Sequence, residues 1–185
     1  MSNQISFTEE QGMLLDTALD FCSKNSTISL VRDRIEAEQS LPPELWSSIV
    51  ELGWTGIVVP ESHGGLGLGL GDLVPVVEAM GRNLMASPLV WSAIAANTLR
   101  LAGSEEQKSS WLPKIAGGAI ATMALVEPGG SWVLAEPESA GKLEGDVIRL
   151  SGTKCFVQDA TIAELILVSL MIEGKPRLAM IEQSS

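Results

Sequence analysis

Basic side chains are scarce in this 185-residue chain: 12 Lys and Arg stand against 23 Asp and Glu, a formal net charge of −11 with a pI near 4.5. Such a surface lacks the cationic patches that neutralise phosphate backbones, which excludes nucleic acid and anionic membranes as partners. Cysteine is nearly absent. Cys22 and Cys155 lie far apart and without metal-ligand spacing, so free thiols in a reducing compartment are expected rather than a disulfide framework or a metal site. His63 is the only histidine, which rules out chemistry requiring two imidazoles and argues against zinc. A lone loop histidine reads first as a surface or hydrogen-bonded residue. No G-x-S-x-G turn offers a nucleophilic serine, so a hydrolase is set aside. No apolar run approaches the ~20 residues of a membrane span. No basic start followed by an apolar stretch marks a secretory leader, and the expectation is a cytoplasmic protein.

What is present describes a globular chain, with 45% apolar residues and a mean hydropathy of +0.24, enough to offset the entropy of ordering. Thr8 with Gln11 forms a capping box, and Leu14, Leu15, Ala18, Leu19 and Cys22 recur at helical spacing, predicting a helix from Glu9 to Lys24. A shorter helix is predicted over Leu30–Glu38. Pro42 and Pro43 open the next, with Leu45, Trp46, Ile49, Val50 and Leu52 as its apolar face and Gly53 at its end. A strand-like run, Gly56 to Pro60, leads into the glycine-rich stretch Gly64 to Gly71. Asp72 is read as the cap of a helix that tolerates Pro75 and turns Leu73, Val76, Val77, Met80 and Leu84 inward. Ser87 and Pro88 start a helix through Trp91, Ile94, Ala95, Leu99 and Leu101 to Gly103. Ser104 with Gln107 caps another through Trp111, Leu112 and Ile115 to Gly117, bent at Pro113. Trp46, Trp54, Trp91 and Trp111 fall mostly at apolar helical positions and read as core.

After Gly118 the period changes. Short runs rich in Val, Ile and Leu at 119–127, 147–150, 154–158, 165–171 and 177–181 predict strands, with Glu173, Gly174, Lys175 and Pro176 as a hairpin turn. Helices followed by a block of strands indicate an α+β chain, with an all-helical region over 1–118 and a β region over 119–185. No frame through the glycines gives G-x-G-x-x-G and no Walker lysine follows, so the loop reads as a structural turn or a substrate-channel wall rather than a phosphate cradle. The loop Glu127-Pro128-Gly129-Gly130-Ser131, before Trp132, has amides and a hydroxyl suited to an anion.

Four segments in register resemble the acyl-CoA dehydrogenase family of flavoproteins: Val59 to Gly67, Gly103 to Gly118, Ala124 to Ser131 and Leu150 to Val157. The resemblance runs from about Phe7 to Ile181. It implies a helical N-terminal domain over 1–118, a middle β domain, antiparallel and barrel-like, of which 119–185 is a part, and a C-terminal four-helix domain, with FAD between the last two and across a subunit interface. It implies removal of an α-proton from an acyl-CoA thioester by a carboxylate base while hydride leaves the β-carbon for the flavin, whose redox chemistry the protein orients. By that resemblance Leu125 and Val126 lie along the flavin ring, Ser131 bonds the phosphate region, and Phe156 and Gln158 sit beside the isoalloxazine. Electron-transfer flavoprotein is the implied acceptor, and a homo- or hetero-oligomer the implied assembly.

The sequence departs from that pattern at Val126, where the family usually has Thr, at Gln158 (Ser or Thr), at Trp132 (Asp), and in a glycine loop shorter by one residue. The base belongs to the C-terminal portion, beyond this sequence, so no catalytic residue is assigned and the chain alone is expected to be inactive. Two further readings stay open: a non-catalytic subunit of a heteromeric dehydrogenase, and a flavin monooxygenase or oxidase of the same fold.

Overall fold

The computed structural model describes residues 7–37, 41–131, 133–144 and 147–183; Trp132 and the expected helix end at Glu38 lie outside them. Six helices come first. In α1 (Glu9–Asn25) the capping box closes as the sequence predicts, Thr8 Oγ1 accepting from Gln11 N at 3.2 Å and Gln11 Oε1 from Thr8 N at 3.1 Å. α2 (Ile28–Glu36) buries none of its residues, whereas α3 (Pro43–Glu51) sets Leu45 and Ile49 into the core. Gly53, just past α3, adopts the left-handed φ of 75° expected of a helix-terminating glycine.

The run Gly56–Pro60 is not a strand. Trp54–Gly56 forms a tight helical turn, and Ile57, Val58 and Val59 are buried among the helices. The glycine stretch folds back on this run, with Leu66 N donating to Gly56 O (2.8 Å), Gly67 N to Val59 O (2.8 Å) and Leu68 N to Ile57 O (2.9 Å). α4 (Leu70–Arg82) starts three residues earlier than Asp72 would require as a cap. Gly69 takes the cap position, and Asp72 accepts from Gly69 N through Oδ2 at 2.9 Å from inside the first turn. Leu84 does not face inward: it follows the helix with φ 52° and is 57% exposed, because the chain has already reversed at Asn83. α5 (Leu89–Ala102) and α6 (Glu105–Ala116) follow, the latter closed by the predicted Ser104–Gln107 box. Leu101, at the end of α5, is exposed rather than part of the apolar face.

Five strands form one sheet: β1 (Ala121–Ala124), β2 (Ala140–Glu144), β3 (Val147–Ser151), β4 (Leu165–Ile172) and β5 (Lys175–Glu182). β4 is its spine. β5 lies along one edge by the predicted hairpin, in which Glu173 (φ 50°) and Gly174 (φ 72°) make a two-residue turn; β1 and then β2 share the other edge. The antiparallel expectation holds for β2·β3 and β4·β5, while β1 and β2 both run parallel to β4, so the sheet is mixed. Only a tight hairpin forces antiparallel pairing; the long connections to β4 leave direction free. β2 has no counterpart among the predicted strands, and 154–158 is a loop that touches the sheet through one bridge, Val126 to Cys155.

Alternation along β4 divides the core. Leu165 and Leu167 join the main cluster with Trp54, Val76, Leu89, Leu112 and Ile115 from the helical layer. Ile166, Val168 and Leu170 face the other way with Ala124 and Ala179, beside an apolar cavity of about 280 Å³. Among the described residues no helix is long and apolar enough to cross a membrane.

Candidate functional site

β1 delivers its chain to the sheet margin at Leu125 and Val126, and the 154–158 loop arrives beside it. Cys155 N donates to Val126 O at 2.8 Å, which brings two of the predicted site segments into contact. Val126 is buried, Leu125 half-buried, and Ser131, Phe156 and Gln158 exposed. Ser131 Oγ accepts from Val133 N at 3.2 Å, so this hydroxyl shapes its own loop.

Phe156 departs most from ordinary packing. Its ring is 83% exposed and its backbone is left-handed at φ 54°, with Asp159 at φ 55° three residues on. Asp tolerates that region, whereas for a bulky aromatic it costs on the order of 1–3 kcal/mol. A strained backbone that presents an unpacked ring is a feature of ligand sites.

Behind this surface stands a network that reading the sequence did not foresee. Lys154 Nζ donates to Glu127 Oε1 (2.8 Å), Ser169 Oγ (3.0 Å) and Leu125 O (3.3 Å). The Glu127 carboxylate also accepts from Glu138 N (2.6 Å) and Ser139 N (2.5 Å). The Lys154 and Glu127 side chains are only 8% and 5% exposed. Burial alone would raise the Glu127 carboxyl, but the bonds from Lys154, Ser139 and Glu138 outweigh it and hold it near 2. Both residues lie within the motifs quoted above, yet no local pattern distinguishes a buried pair from two solvated charges 27 positions apart.

On the helical side of the sheet a cleft of about 360 Å³ opens beside the same loop, lined by Thr98, Met123, Leu125, Leu134 and Ser169 and by Pro176, Arg177 and Leu178 of β5. Its hydroxyls are engaged: Thr98 Oγ1 donates to Ile94 O at 2.8 Å and Ser169 Oγ accepts from Lys154. Leu125 thus contributes to a cleft whose lining is apolar apart from Thr98, Ser169 and Arg177. The glycine-rich loop lies elsewhere, and the N–H groups of Gly65, Leu66, Gly67 and Leu68 donate within the loop's own fold, as a structural turn requires. His63 Nδ1 lies 3.0 Å from Ser62 Oγ in that turn, away from the loop junction.

A helical layer on a mixed sheet is the architecture of the acyl-CoA dehydrogenase fold, which the chain shares with the solved acyl-CoA dehydrogenase of Geobacillus kaustophilus at a TM-score of 0.80 and 26% identity, covering 96% of this chain and 49% of that one. Residues 8–119 match the model of the acyl-CoA dehydrogenase N-terminal domain. The chain belongs to the acyl-CoA dehydrogenase family. It is 31% identical over 178 residues to the acryloyl-CoA reductase (NADH) of Anaerotignum propionicum, covering 94% of this chain and 45% of that protein. Among solved structures, a variant of the steroid ACAD Tcur3481-Tcur3483 superposes with a TM-score of 0.83 at 34% identity, covering 94% of this chain and 48% of that one. The ChsE4-ChsE5 complex from Mycobacterium tuberculosis gives 0.85 at 27% identity, with 96% and 48% covered. The chain therefore spans about half the length of the relatives it matches.

Proposed function

We propose that the chain takes part in FAD-dependent α,β-dehydrogenation of an acyl-CoA thioester, together with the remainder of the family fold that it does not span. The observation that carries this reading is Phe156, an exposed ring on a strained backbone beside Leu125 and Val126. The donor set fits a flat heterocycle with a polar rim. The Phe156 face takes the ring beside Leu125 and Val126, the Gln158 amide meets its rim, and Ser131 with the neighbouring glycines meets a phosphate. Bound there, FAD would supply the hydride acceptor. The cleft beside Leu125 suits an acyl chain, since it falls in the range of small-molecule pockets and its lining is apolar apart from Arg177 and the two engaged hydroxyls of Thr98 and Ser169.

Glu127 is not the base in this reading. Its oxygens are occupied by Lys154 and two peptide N–H groups, and its carboxyl is held ionised behind the loop. The base then comes from outside the chain, electron-transfer flavoprotein is the acceptor, the assembly is a homo- or hetero-oligomer, and the setting is cytoplasmic. Co-expression with the rest of the fold, followed by FAD titration and anaerobic bleaching by a panel of acyl-CoA thioesters, tests the reading. Bleaching by at least one thioester is expected; an assembly that takes up no flavin overturns it.

Val126 favours a second reading. A buried valine places methyls where the family pattern has a hydroxyl, which suits a subunit that lends structure rather than a complete flavin site. Its signature is co-purification with a second family member that carries the flavin.

A further inference from the structure

Every residue assigned to the flavin surface sits on one of two segments, Leu125–Ser131 or Phe156–Gln158, and neither segment is part of a strand. Loops of this kind are positioned by what holds them from behind. Here one buried pair reaches both. Lys154 lies one residue before the bridge at Cys155 and two before Phe156, and its ammonium grips Leu125 O while Cys155 N grips Val126 O. Two successive carbonyls of one segment are therefore bonded to two successive residues of the other. From the opposite end, Glu127 holds Glu138 N and Ser139 N, the residues at which the glycine loop returns to β2. Ser169 on β4 anchors Lys154 to the sheet spine.

We propose that the Glu127–Lys154 pair is the positioning device of the flavin site, fixing the orientation of the Leu125–Val126 peptide relative to the Phe156 ring. Neither side chain touches the cofactor. Leu125 O is pinned by Lys154 and Val126 O by Cys155, and Phe156 is carried by the same residues that do the pinning. The low exposure of the pair suits this role, because a buried pair resists the thermal rearrangement that a solvated one undergoes. The inference rests on the flavin reading given above.

The test uses the full chain in its assembly, as wild type, Lys154→Met, Glu127→Gln and the double variant. Three quantities are followed: FAD dissociation constant by fluorescence titration, visible spectrum of the flavin at saturation, and amide hydrogen exchange across 125–139. Each single variant is expected to weaken FAD at least tenfold, to change the shape of the bound flavin's visible band, and to speed exchange across 125–139 while leaving that of α4 and α5 unchanged. The double variant should be no worse than the more damaging single one, since the two act as a unit. Variants that retain the wild-type constant and spectrum overturn the positioning role, whatever happens to exchange. A wild type that binds no FAD instead overturns the flavin reading itself and the inference with it. If a single variant fails to fold, the double variant, which leaves no unpaired buried charge, carries the comparison.

Discussion

At the scale of single residues, the site is decided by two that obey opposite rules. Phe156 is strained and unpacked, so replacing it removes little stabilising contact. Glycine there relieves the left-handed backbone but adds entropy to the unfolded chain, roughly 0.5–1 kcal/mol. Phe156→Gly is therefore expected to shift unfolding free energy by less than about 1 kcal/mol in urea titration while abolishing flavin uptake; a loss above about 2 kcal/mol would show that the ring packs within the protein. Glu127 is the reverse, buried and fully bonded. Its carboxyl lies near 2 when folded against an ordinary 4.5, so between those values the unfolded chain binds the extra proton and stability rises with pH. The stabilisation is complete above about pH 4.5 and is lost as pH falls toward 2. Thermal melts should show the gap between wild type and Glu127→Gln narrowing through that window, and a gap independent of pH would contradict the assignment.

At the scale of elements, local chemistry was legible wherever the interaction is short in sequence. The capping boxes at Thr8 and Ser104, the left-handed Gly53 and the Glu173-Gly174 hairpin each depend on residues within a few positions of one another. The errors are of another kind. Ile57 to Val59 look like a strand but have no strand to pair with, and their apolar side chains are used by the helical core instead. β2, reading Ala-Gly-Lys-Leu-Glu, has no β-branched residue and is almost wholly exposed, so its extended state comes from pairing with β3 and β4. The glycine loop shows its element-scale constraint at Gly65, where an added Cβ would lie 2.1 Å from Val59 O and 2.4 Å from Val59 Cβ. Gly65→Ala should accordingly cost about 1–3 kcal/mol, read from the urea midpoint, because backbone and not a flexible side-chain tip must move. A neutral result would mean that the loop re-registers freely.

For the molecule as a whole, helices and sheet share one core, and a few polar contacts tie the layers together. Trp111 Nε1 donates to Glu182 Oε1 on β5 at 2.9 Å, and Ser92 Oγ of α5 meets both Ala121 O and Ala121 N of β1 at 3.1 Å. Trp111→Phe keeps most of the buried ring and removes only the bond to β5. Because Glu182 is exposed and regains water, a loss of about 0.5–1.5 kcal/mol is expected in equilibrium unfolding, with helical and sheet probes still melting together. Separate transitions would show that this bond couples the layers more than the apolar core does.

Local pattern was sufficient for the helices, their caps and the β4–β5 hairpin, because periodicity, caps and turn residues act over one or two helical turns, and the family was carried by four segments that resemble it in register. Tertiary structure alone decided which strands run parallel, that the 154–158 segment is a loop with an outward Phe156, and that Glu127 and Lys154 pair. Each of these depends on residues brought together from distant parts of the chain. A charge becomes a buried clasp, or an aromatic a presented surface, only when the fold has removed water from one and left it on the other.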